Sequence, residues 1–121
     1  MPTSRYMEAL KDRALIYDGA MGTSIQERDL TAEDFGGPDL DGCNDHLVLS
    51  RPDVIEEIHA SFLEAGCDVV ETDTFRANRL TLEEYGLGDR VIELNRAAAE
   101  VARRACDRFA TEDRPRFVAG S

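Results

Sequence analysis

No apolar run in this chain approaches the ~20 residues that a membrane span requires. Basic residues are scarce: 14 Lys and Arg stand against 25 Asp and Glu, a net charge of −11. Binding to a phosphate backbone needs a basic patch, so the balance argues against nucleic acid or an anionic membrane as a main partner. Cysteine is sparse as well. Cys43, Cys67 and Cys106 are odd in number, widely spaced and form no C-x-x-C pair. That argues against a disulfide framework or a local zinc knuckle and fits free thiols in a reducing cytoplasm. The segment from Met1 to Arg13 lacks the apolar core of a signal peptide, since Arg5, Glu8, Lys11, Asp12 and Arg13 interrupt it. Its Tyr6, Met7 and Leu10 fit a short amphipathic helix. There is no low-complexity segment.

What is present is a globular composition, 42% hydrophobic and 32% charged over 121 residues, sized for one small domain. The most informative stretch is Tyr17-Asp18-Gly19-Ala20-Met21-Gly22-Thr23, directly after Ala14-Leu15-Ile16. A short apolar run ending in an acid and two glycines predicts a buried strand, about 14–17, that empties into a tight loop. Gly19 and Gly22, without Cβ atoms, would let backbone N–H groups approach a ligand. A long polar connection, Thr23 to Leu49, follows; its length predicts either a functional loop or short helices of its own.

Ser50 as N-cap, Pro52 in the first turn and Gly66 as the stop predict a helix over about 51–65, with Ile55, Ile58, Phe62 and Ala65 as its apolar face. Cys67-Asp68-Val69-Val70-Glu71 reads as a second strand, 67–71, emptying into Thr72-Asp73-Thr74-Phe75. A short helix over about 78–85 ends at Gly86. Asp89 is expected to cap a longer helix, about 89–109, buried along Val91, Leu94, Asn95, Ala98, Ala102, Ala105 and Phe109. Arg114-Pro115 breaks the chain before a third strand, 116–119. Strands alternating with helices imply a parallel sheet with right-handed crossovers, an α/β fold. All strand ends then face one way, and the loops at Asp18, Thr72–Phe75 and Gly120 should converge.

Several residues have ordinary structural readings. Asp18 also reads as the cap of the Gly19–Thr23 turn, and Thr72 and Thr74 as loop hydrogen-bonders. Glu71 reads as structural, His59 as a packed or solvated helix residue, and His46 as a loop residue. Asp39-Leu40-Asp41-Gly42-Cys43-Asn44-Asp45 imitates a calcium loop. Its glycine stands fourth instead of sixth, however, and Ser50 occupies the place of the bidentate acid, so calcium is rejected.

Five blocks in order resemble the homocysteine-binding domain of the cobalamin-dependent methionine synthases. They are Asp18–Thr23, Gly42–Asp45, Leu47–Ile55, Glu64–Asp68 with Glu71–Phe75, and Leu94–Ala99, and the likeness runs from about residue 12 to Ser121. Betaine–homocysteine methyltransferases share a subset; Asn44-Asp45 and Arg51-Pro52-Asp53 favour the methionine synthase kind. The resemblance implies the first three β/α units of a (β/α)₈ TIM barrel, incomplete in this chain, since a whole barrel takes ~250 residues.

It also implies a methyl transfer from methylcobalamin to homocysteine held by zinc as a thiolate. Homocysteine is the implied partner, together with the rest of the barrel and the folate, cobalamin and reactivation domains. The family's zinc cysteines lie on later strands and do not match Cys43, Cys67 or Cys106, so no metal ligand and no catalytic residue is expected here. The residues carried over are substrate-binding ones. Asp18 would meet the homocysteine ammonium, and Gly19 and Ala20 would offer N–H groups to its carboxylate. Thr72, Thr74 and Phe75 would line the pocket, and Asn44 would lie near the substrate. Many relatives carry Asn where this chain has Asp73, and no contact is assigned to that residue. The competing expectation is a small self-contained α/β ligand-binding module without catalysis.

Overall fold

The computed structural model describes residues 3–121, so Met1 and Pro2 of the expected N-terminal segment lie outside the described residues. That segment forms helix α1, Arg5–Asp12, capped by the Ser4 hydroxyl, which accepts the Met7 N–H. Helices α2 (Met21–Gln26), α3 (Ala32–Phe35) and α4 (Leu47–Ser50), with two 3₁₀ turns, occupy the long polar connection. Helix α5 (Pro52–Ala65) leads to strand β1 (Val69–Glu71), helix α6 (Arg79–Leu82) follows, and α7 (Val91–Phe109) leads to β2 (Phe117–Ala119).

Strands β1 and β2 pair in parallel, Val69 opposite Phe117 and Glu71 opposite Ala119. The strand expected over 14–17 is realised as a single parallel bridge, Tyr17 to Val69. The reason is a side chain. Asp68 Oδ2 accepts the Ile16 N–H at 2.9 Å, taking the place of a ladder carbonyl. Backbone bonds on either side still hold the segment beside β1: Asp68 N–H to Ile16 O at 2.7 Å and Asp18 N–H to Val69 O at 2.9 Å.

Asp68 also binds Arg13 through both carboxylate oxygens, at 2.9 and 2.7 Å, while fully buried. Arg114 stands 3.6 Å away. The buried Arg116 guanidinium donates to the Leu63 and Cys67 carbonyls at 2.8 and 2.9 Å. Two arginines from the chain before β2 and one from the chain before Tyr17 are thus gathered at the N-terminal end of β1. A two-pronged carboxylate–guanidinium contact is among the stronger polar interactions.

Above this end, α5 and α7 pack together and against the sheet. One apolar cluster joins Leu47, Ile55, Ile58, Leu94, Ala98 and Val101; a second joins Leu63, Cys67, Val70, Ala102, Ala105 and Cys106. Phe62 touches both. Gly66 closes α5 at φ +114°, its N–H on the Phe62 and Leu63 carbonyls, a conformation open to glycine at little cost.

Two expected caps are absent. Arg51, not Ser50, precedes α5 and has no capping side-chain bond; the Ser50 hydroxyl donates instead to the His46 carbonyl. Asp89 lies in a 3₁₀ turn ahead of α7. Ala65, placed on the apolar face of α5, is exposed, and His59 is fully buried there.

Neither ring nitrogen of His59 has a partner among the described residues. Burial pushes its pKa from 6.5 down to about 4, so it packs as a neutral ring. The unfolded chain then takes up a proton first, and stability falls as pH drops from about 6.5 to about 4. The full loss is about 3 kcal/mol. Asp68, held down to about 2 by Arg13, extends the loss below pH 3.8 by about 2 kcal/mol. Asp18, pushed up to about 6, works the other way over pH 6 to 3.8 and offsets much of the His59 loss, as do the raised carboxyls of Asp45 and Asp73. The stability difference between His59→Leu and wild type, read from denaturant melts, should shift by about 3 kcal/mol in favour of the variant as pH drops from 6.5 to 4; a difference that does not change with pH would refute the assignment.

Candidate functional site

The C-terminal ends of the Tyr17 segment, β1 and β2 open into one cleft of about 290 Å³. Asp18, Gly19, Ala20, Met21 and Gly22 form one wall, and Glu71, Thr72, Asp73, Phe75 and Arg76 another. The turn Gly42–Asp45 closes a third side, and Thr81, Leu82 and Tyr85 reach in from α6 and the turn after it; Ser121 lines the remainder. Ligands of parallel α/β sheets bind at this end of the strands.

Six of the seven residues singled out from sequence lie in this wall: Asp18, Gly19, Ala20, Asn44, Thr72 and Phe75. Thr74 does not. Its hydroxyl meets the Thr72 hydroxyl at 2.7 Å and donates to Ser121 O at 3.4 Å, so it ties the β1 loop to the chain after β2. The Thr72 hydroxyl in turn accepts the Ser121 N–H at 3.2 Å.

Asp18 Oδ2 accepts the Glu71 N–H at 3.2 Å, across the sheet from its own turn. Half-burial pushes its carboxyl up to about 6; the Glu71 N–H opposes the rise and the Glu71 charge adds to it. Gly19 serves packing. A Cβ there would stand 2.8 Å from Cε1 of Phe62, so the loop lies directly on the ring that joins the two apolar clusters. Phe75 is 86% exposed at the rim.

Sequence reasoning passed over Asp45, Arg76 and Tyr85 and assigned Asp73 no contact, though all four line the cleft. Asp45 is buried, and its Oδ2 accepts the Arg76 N–H at 3.1 Å; burial raises its pKa against that bond. Asp73 is buried with Oδ2 unpartnered among the described residues. Burial first, and the Asp45 charge second, hold its pKa well above the usual carboxylate range. The Arg76 guanidinium turns to Glu84 at 3.2 Å. The cleft is therefore acidic, with Asp18, Asp45, Glu71 and Asp73 on its walls. Nothing beside Asp45, which is followed by His46, or Asp73, which lies between two threonines, marks either acid as buried. Tyr85 comes into place only through tertiary folding.

A family profile described as homocysteine S-methyltransferase matches residues 15–121. The chain belongs to the homocysteine S-methyltransferase family. Among its relatives are a methionine synthase of Mycobacterium tuberculosis, 45% identical over 115 residues, and one of Mycobacterium leprae, 44% identical over 115 residues. Each alignment takes in 95% of this chain and only 10% or 9% of the relative; the chain thus spans about a tenth of the length of the methionine synthases it matches.

The fold is similar to that of the homocysteine methyltransferase MmuM of Escherichia coli. Its metallated form superposes with a TM-score of 0.75 at 22% identity, over 93% of this chain and 39% of that one. Its oxidized form gives 0.77 at 24%, over 97% and 40%. Those likenesses bear on the fold alone.

The zinc implied by the family does not fit the residues described. They contain no cluster of three His, Cys, Asp or Glu side chains able to hold a metal. Cys43 is at the cleft, but burial raises its thiol pKa. Cys67 and Cys106 lie in the second apolar cluster, pushed up to about 11 by burial. A thiol kept protonated is a poor metal ligand.

Gly19→Ala should displace the Phe62 ring and lower stability by roughly 1–3 kcal/mol. Phe62→Leu in the same background should recover part of that loss in urea melts. Strictly additive losses would show that the ring is not what the glycine accommodates.

Proposed function

We propose that the cleft holds the amino-acid end of homocysteine in a homocysteine S-methyltransferase of the methionine synthase kind. The observation that carries this reading is Asp18: a half-buried carboxylate, fixed by the Glu71 N–H at a strand end, in a chain of this family. A carboxylate so placed suits the ammonium of an amino acid, because a charge-assisted hydrogen bond strengthens as water is excluded. In this reading Gly19 and Ala20 face the ligand carboxylate, Thr72 and Asn44 flank it, and Phe75 covers it from the rim. Thr74 acts through Thr72 by holding its hydroxyl.

In this reading methylcobalamin would supply the methyl group and zinc would hold the homocysteine sulfur as a thiolate, both bound outside the residues described here. The partners are homocysteine, the remainder of the barrel, and the folate, cobalamin and reactivation domains. The setting is the cytoplasm, in keeping with three free buried cysteines. Likeness to the methionine synthases over 115 residues favours this reading over a self-contained binding module and over a betaine-type enzyme.

Asp18→Asn in the intact enzyme should raise the KM for homocysteine roughly 10- to 100-fold, the worth of one hydrogen bond to a charged group. kcat should change far less. In the wild type, homocysteine binding should strengthen as pH rises through about 6, where Asp18 ionises. An unchanged KM would overturn the assignment.

The 121-residue chain, purified alone, should show no methyl transfer from methylcobalamin to homocysteine. Clear turnover would overturn the view that sulfur activation lies elsewhere.

A further inference from the structure

Asp73 is a buried acid of the cleft to which the reading above gives no task. It lines the wall but is only 6% exposed. Its Oδ2 is sealed with no partner among the described residues. No cation balances it there. The Arg76 guanidinium is engaged by Glu84, and the Arg76 N–H goes to Asp45. Asp45, itself buried, would set a second negative charge beside the first if both acids ionised. Asp18, Glu71 and the Cys43 thiol line the rest of that space. A buried carboxylate with no counter-charge is too costly to keep ionised, and such a group holds its proton instead.

The consequence concerns the ligand's carboxylate. An amino acid brings a negative group into a cleft already lined by acids, and each ionised acid repels it. A protonated acid does the opposite, because its O–H donates. We propose that Asp73 stands in the ligand-free cleft as an uncharged carboxyl group and donates a hydrogen bond to the carboxylate of the amino acid whose ammonium Asp18 holds. This rests on the homocysteine reading given above. Asp73 thereby becomes a specificity residue for the zwitterionic end of the substrate: Asp18 reads the cation, and Asp73 reads the anion. A carboxylic acid kept neutral by its surroundings so that it can donate a hydrogen bond is an established device in enzyme sites.

The test uses the intact enzyme, with L-homocysteine as the probe, and three variants: Asp73→Asn, Asp73→Ala and Asp18→Asn. Infrared difference spectra of wild type against Asp73→Asn at neutral pH should show the C=O band of a protonated carboxyl, and the band should shift when homocysteine is added. Asp73→Ala should raise the KM for homocysteine about tenfold with little change in kcat, the worth of one hydrogen bond. Asp73→Asn, a neutral donor of the same shape, should recover most of that loss.

Absence of the band at neutral pH would overturn the proposal. So would a band that homocysteine does not move, or an Asn variant as impaired as the Ala variant. If Asp73→Ala does not fold, the band and its response decide. Asp18→Asn separates the two claims. If it raises the KM while the band stays still, only the Asp73 assignment fails. If it leaves the KM unchanged, the homocysteine reading fails and takes Asp73 with it.

Discussion

The rest of the structure depends on one buried carboxylate. Asp68 is fully enclosed, yet it receives two bonds from Arg13 and one from the Ile16 backbone. It thereby fixes where the chain enters the sheet, and with it the register that puts Tyr17 beside Val69. The next residue is Asp18, whose position at the cleft follows from that register. Asp68 is buried while Arg13 is 43% exposed; removing the guanidinium would leave the enclosed carboxylate without its main partner, at a cost below the ~3–5 kcal/mol of a fully buried pair. Here the cost would fall on the site as much as on the fold, because the clamp lies at one end of β1 and the cleft at the other.

Desolvation acts in opposite senses at those two ends. At Asp68 the guanidinium more than offsets burial and holds the acid ionised. At Asp73 and Asp45 no side chain of opposite charge pairs with either acid among the described residues, and burial wins. The same residue type is thus a permanent anion on one side of the sheet and a poor one on the other. The sequence is acidic throughout, so the distinction comes from where the few bases are placed: Arg13, Arg114 and Arg116 all gather at the Asp68 end.

Much of this was legible in the residues. The acid-glycine loop after an apolar run, the stop at Gly66 and the alanine-rich stripe of α7 each depend on local chemistry, and each has a counterpart in the structure. The caps at Ser50 and Asp89 were read from local preference and lost to tertiary contacts, Ser50 to the His46 carbonyl. The strand at 14–17 shrank to one bridge because a side chain 52 residues away took a ladder position, which no window of the sequence reveals. The cleft's buried acids were hidden for a related reason. Whether an Asp is solvated or sealed depends on neighbours distant in the chain, and a sequence alone shows only that it is an Asp.

The aromatic residues have a practical consequence. The chain has no tryptophan and three tyrosines, so tyrosine dominates its near-ultraviolet absorption and emission. Tyr6 and Tyr17 share a hydrogen bond of 2.8 Å at the floor of the molecule, where Tyr6 also meets Phe117 edge to face at 5.4 Å. Tyr85 stands apart, in the cleft wall. The molecule therefore carries two built-in optical reporters, a coupled pair under the sheet and a single ring above it. A ligand entering the cleft would perturb the second while leaving the first as an internal reference for the integrity of the fold.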